Sequence, residues 1–182
     1  MKKTLISAAL VAVMGVAAFT PKIAAAADGT ITFNGKVTAQ TCTINGNGTA
    51  SNNFAVTLPT VSASALSATG AVAGRTQFNI ALSACTPGTG NVVTNFEPGP
   101  TVAADGNLTN QATGGASNVE FQLLNPDLSA IVAGAPGATQ NSKPVGLVAG
   151  AATLAYYSQY FATAAVTAGG ATSTVQYDIT YP

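Results

Sequence analysis

The chain has 182 residues, six basic and six acidic, with no histidine, no tryptophan and two cysteines, and only 7% of it is charged. Without histidine, Ser-His and Cys-His nucleophilic catalysis and most zinc sites are excluded. Without a basic cluster there is little to hold nucleic acid or anionic lipid.

Residues 1–26 have the layout of a secretory signal peptide. Lys2 and Lys3 form a basic start, residues 5–19 run apolar and uncharged, and Pro21 and Lys22 break the run. Ala24, Ala25, Ala26 and Ala27 then supply the small residues of a peptidase site, with cleavage expected after Ala26 and Ala27 the next choice. A membrane anchor needs about 20 consecutive apolar residues, more than this run holds. Its removal leaves Lys36, Arg75 and Lys143 against six carboxylates. The remainder, about 156 residues, is one domain by length and large enough for a core.

Residues 28–38 alternate with period two. Gly29, Ile31, Phe33, Gly35 and Val37 fall on one face of an extended strand, and Thr30, Thr32, Asn34, Lys36 and Thr38 on the other. One face is apolar or glycine and the other polar, so this amphipathic arm must find a sheet to join, its own or another molecule's.

Cys42 and Cys85 are the only cysteines, and a secretory signal sends them to an oxidising compartment, where an intramolecular disulfide is the default. The loop it closes corresponds to about 4 kcal/mol of chain entropy. A reactive thiol has neither a Cys-x-x-Cys spacing nor a histidine to support it.

Residues 45–53 form a loop by composition. Phe54, Val56 and Leu58 alternate up to Pro59, which predicts a strand and its stop. Residues 62–74 permit a short helical turn. Strands are predicted at 75–85, 92–96, 119–124, 128–132, 151–162 and 173–181, with a short one at Leu108. Turns and loops rich in Gly, Pro and Asn separate them, including Asn125-Pro126-Asp127 and Gly169-Gly170. The Gly46-Asn47-Gly48 and Gly88-Thr89-Gly90 pairs read as turns, since no helix follows them. Asn47-Gly48-Thr49 and Asn107-Leu108-Thr109 match a glycosylation pattern that arises often by chance. Six scattered carboxylates read as solvated turn residues rather than a glycosidase pair. Many short strands with no sustained helical period make an all-β sandwich.

The run at residues 27–44 resembles the N-terminus of subunits of bacterial type 1 and type 3 fimbriae, built by the chaperone–usher pathway. The resemblance continues through Arg75-Thr76-Gln77-Phe78-Asn79-Ile80 to Cys85, through residues 119–124, and through residues 156–161. It closes on a penultimate tyrosine, Tyr181, and a glycine near the C-terminus, Gly169. The short arm before Cys42 resembles adaptor subunits of type 1 fimbriae.

The resemblance implies an incomplete immunoglobulin-like β-sandwich that lacks its last strand, completed by a donor strand from another subunit. It implies residues 27–39 as the donor arm and 40–182 as the pilin domain. It also implies a groove beside the C-terminal strand, marked by Gly169, Val175, Tyr177, Ile179 and Tyr181, that binds a periplasmic chaperone and then the arm of the next subunit. An outer-membrane usher and other pilin subunits are the further partners, and no cofactor or metal is implied. The expected function is a structural subunit of a surface fimbria that polymerises head-to-tail and supports adhesion. The alternatives are an adaptor or tip subunit, or a self-contained secreted sandwich whose arm folds onto its own sheet. A two-domain tip adhesin has no room in this length.

Overall fold

A computed structural model describes residues 31–35, 37 and 41–181; the signal segment, Ala26, Ala27, Gly29 and Lys36 lie outside the described residues. The described chain falls into two units, one ending at Val37 and one beginning at Thr38. In the first, residues 31–35 and 37 carry no strand pairing. Ile31, Phe33 and Val37 are 78%, 89% and 100% exposed, so these three apolar side chains are bare.

The second unit is all β apart from two single-turn 3₁₀ segments, Ala63–Leu66 and Gly137–Gln140. Its strands are β1 (Thr41–Gly46), β2 (Val72–Thr86), β3 (Asn91–Phe96), β4 (Leu108–Thr109), β5 (Val119–Leu124), β6 (Ala130–Ile131), β7 (Val145–Gly146), β8 (Ala152–Ala162) and β9 (Tyr177–Thr180). One sheet runs β1-β2-β8-β5-β4, with β6 also on β5, and the other runs β7-β3-β9. All the pairings are antiparallel.

The period-two patterns set the core. In the β2–β8 register Phe78 faces Tyr156 and Ile80 faces Leu154, and all four are buried. Val92 and Phe96 of β3 come down on them from the second sheet. The Tyr156 ring lies 5.6 Å from Phe78 and, edge-on, 5.4 Å from Phe96. That aromatic triad joins the two layers, since edge-to-face rings add to the area they bury.

Cys42 and Cys85 are bonded, on the paired strands β1 and β2. Thr41 opposes Thr86 while Thr43 opposes Ser83, so two residues, Ala84 and Cys85, stand opposite Cys42 alone. This is a β-bulge, and Ala84 takes φ 52° within it. The extra residue turns Cys85 toward its partner.

Two expectations are corrected here. Residues 54–58 are not a strand: Phe54, Val56 and Leu58 are half-buried against the core, but no backbone ladder flanks them. The last strand is also shorter than expected, with ladder pairing only over Tyr177–Thr180. The alternation nonetheless extends upstream, because residues 171, 173, 175, 177, 179 and 181 are half-buried and the even positions between them exposed. Burial of alternate side chains needs a core on one side and does not require a paired strand on the other. The two-residue β7 is too short to leave a pattern in the sequence.

Candidate functional site

Between residues 52–58 and residues 171–177 lies an open groove of about 980 Å³. Its floor is the core itself, with Phe78 and Ile80 of β2, Phe121 and Leu123 of β5, and Phe96 of β3. Among the described residues that line it, Glu97 is the sole charged one.

The two walls are held differently. On the C-terminal wall, Gln111 N–H donates to the Thr172 carbonyl at 2.7 Å, the Thr101 hydroxyl to Thr174 at 2.6 Å, and Glu97 N–H to Gln176 at 2.9 Å. Even-numbered residues thus spend their backbone groups on the loop and strand at 97–111, and β9 continues that pairing with β3. In an extended strand successive residues point their N–H and C=O to opposite sides. The odd-numbered residues, Ser173 and Val175 among them, therefore turn theirs toward the groove. The Ser173 hydroxyl is buried without a hydrogen-bond partner. On the opposite wall, among the described residues, no backbone group of residues 54–60 is paired with another backbone group.

The walls meet at one point. The Tyr177 hydroxyl donates to the Asn52 carbonyl at 2.7 Å. Its ring stands edge-on to Phe54 at 6.1 Å, and Phe54 lies 6.0 Å from Phe78. Gly46 makes room for Phe54, since a Cβ there would come within 1.9 Å of the ring. Burial pushes the phenols of Tyr177 and Tyr181 above their ordinary range. At the groove, the neighbouring Asp178 carboxyl raises that of Glu97 above the usual range; burial adds to this, and the Asn95 amide opposes it.

Of the residues the sequence marks for the acceptor, Val175 and Tyr177 line the groove. Ile179 and Tyr181 continue on the same face, packed against the core. Gly169 stands apart from the groove lining. It lies where a Cβ would meet the Ala116 backbone nitrogen at 2.4 Å, beside a bond from Ala116 N–H to the Gly170 carbonyl. Its smallness lets two backbones touch. The wall at 52–58 is the part that the sequence did not assign to the groove; the signal was there, in the alternation of Phe54, Val56 and Leu58. Asn107, in one of the two glycosylation patterns, is buried with its amide donated to Asp105 and Glu120, so it cannot present that nitrogen for modification.

A family model described as type-1 fimbrial protein A (FimA) matches residues 58–182. The major fimbrial subunit SMF-1 of Stenotrophomonas maltophilia (strain K279a) is 53% identical over 167 residues, covering 88% of this chain and 96% of that protein. The F17 fimbrial protein of Escherichia coli is 49% identical over 160 residues, 85% of this chain and 87% of its own. Among solved structures, a chain of a chaperone–usher pilus superposes with a TM-score of 0.60 at 22% identity, over 86% of this chain and 96% of its own; this is a likeness of fold.

Proposed function

Because this chain belongs to the type-1 fimbrial protein A family, we propose that its groove receives a strand donated by another subunit, and that its own residues 27–39 are the arm it donates. The chain is a structural subunit of a fimbria, exported and assembled with other pilin subunits on the cell surface. Its fold is the incomplete immunoglobulin-like sandwich of chaperone–usher pilus subunits. Similarity over nearly the whole length of a major fimbrial subunit favours a place in the filament body over an adaptor or tip position, and over a self-contained sandwich.

The observation that carries the reading is an apolar groove with one wall bonded from behind and the other, among the described residues, without backbone pairing. A strand laid there gains ladder bonds along the edge of residues 173–181 while its alternate side chains reach the apolar floor, which is strand addition to an open edge. The arm fits by pattern. Gly29, Ile31, Phe33, Gly35 and Val37 point inward, and Thr30, Thr32, Asn34 and Lys36 outward. Phe33 is the largest inward group, with about 2 kcal/mol or more of hydrophobic transfer to gain, and Gly35 suits a shallow stretch. Donor and acceptor are different surfaces, so the contact is heterologous and propagates as a filament.

Until that strand arrives, the edge is open and apolar, a hazard for aggregation. Capture by a periplasmic chaperone and hand-over at an outer-membrane usher answer that need.

The test is Phe33→Asp. The subunit is expected to fold with a native melting temperature and fail to join its neighbour, whereas Thr32→Asp is mild. A Phe33→Asp chain that unfolds instead would place the arm in its own core and end the reading.

A further inference from the structure

We propose that Tyr177 is a positioning residue for strand insertion: its hydroxyl bond to the Asn52 carbonyl ties the two groove walls together at one end and holds them ready for the strand. The inference rests on the strand-acceptor reading above.

The two walls need different amounts of help. Gln111, Thr101 and Glu97 anchor the C-terminal wall from behind. The wall at residues 54–60 has no backbone–backbone bond among the described residues, so it is placed by half-buried side chains and by the bridge at its N-terminal end, 2.7 Å long. Phe54 completes the attachment. It rests on Gly46 and touches the rings of both Phe78 and Tyr177, so the tyrosine holds the wall through a ring contact as well as through its hydroxyl.

A strand that pairs with both walls needs them about two strand spacings apart, each spacing roughly 4.8 Å. A drifting wall must be brought to that distance as the strand binds, at a cost in conformational entropy. A wall tethered at one end has less freedom to lose, which is preorganisation. The acceptor is a main-chain oxygen, so removing the Tyr177 hydroxyl is what breaks the bridge.

In the experiment, the full chain, kept too dilute to self-assemble, is titrated with a fluorescent peptide of residues 28–38. Tyr177→Phe keeps the ring and removes the bond, and it is expected to bind the peptide about three- to tenfold more weakly, the range set by one net hydrogen bond. Tyr157→Phe, the same change on β8 outside the groove lining, is expected to bind as the native chain does. Native or tighter binding by Tyr177→Phe, or an equal loss in Tyr157→Phe, overturns the inference. A native chain that takes up no peptide overturns the strand-acceptor reading itself, and the inference with it. Nuclear magnetic resonance supplies a second readout. Tyr177→Phe should keep the amides of residues 91–96 protected from exchange, showing an intact fold, while the backbone order parameters of residues 54–58 fall. Unchanged order parameters there mean that the bridge does not hold the wall, and also overturn the inference.

Discussion

Strand β8 and the groove wall at residues 171–177 read alike as sequence and differ in what lies beside them. Both place alternate side chains against the core. β8 is paired with β2 on one side and β5 on the other, whereas the wall is bonded on one side and faces a groove of about 980 Å³ on the other. Side-chain burial and backbone pairing are thus separate requirements, and a stretch that meets the first without the second marks where a strand is missing. The facing wall at residues 54–58 makes the same point. Its apolar side chains touch the core, yet its backbone has no ladder.

The sharpest way to break the comparison is to truncate one aromatic on each side of it. Tyr156, 1% exposed and in contact with two rings, belongs to the closed part; Tyr156→Ala is expected to cost about 3–5 kcal/mol. Phe54, half-buried in the open part, is expected to cost less than half of that on truncation to Ala. Urea unfolding curves of both variants give the two values, and equal losses would make the groove wall ordinary core.

A second substitution sharpens the boundary of the groove. Gly169→Val drives a side chain into the backbone at Ala116 and is expected to destabilise the subunit by about 1–3 kcal/mol, the cost of overpacking. If Gly169 served the groove alone, the same change would leave the melting temperature untouched and lower only strand uptake.

The smallest effect is electrostatic. Glu97 sits at the groove with Asp178 beside it, and its carboxyl is raised. A carboxyl whose folded pKa lies above its unfolded value disfavours folding when ionised. That penalty is present at neutral pH and disappears as pH falls below the unfolded pKa. Glu97→Gln should therefore raise the melting temperature slightly at pH 7 and leave it unchanged at low pH. A variant that melts lower at pH 7 would show that the Asn95 hydrogen bond outweighs the repulsion.

Much of this was legible in the sequence because it depends on local pattern. The alternation of Phe78, Ile80 and Leu82, and of residues 119–124, gave β2 and β5. Export to an oxidising compartment with only two cysteines gave the disulfide, although the bulge at Ala84 that aims it has no sequence signal. The odd-numbered face of the C-terminal stretch was legible down to Val175 and Tyr177, since a half-buried face shows as period two whether or not a neighbour pairs with it. For the same reason residues 54–58 read as a strand. Periodicity reports the core beneath a segment and is silent about the backbone beside it. The packing role of Gly169 was hidden because it depends on Ala116, more than fifty residues away, and the hydroxyl bridge of Tyr177 depends on Asn52, which is more distant still. The arm showed its alternation plainly, and Ile31, Phe33 and Val37 on that face are exposed.

If both walls of the groove receive a strand from another subunit, amide hydrogen exchange of the full chain, with and without excess peptide of residues 28–38, shows it most directly. Protection is expected to rise at residues 54–58 and at the odd positions 173, 175 and 177, while β8, paired on both sides, does not change. Added peptide that leaves those two walls exchanging as before would contradict it.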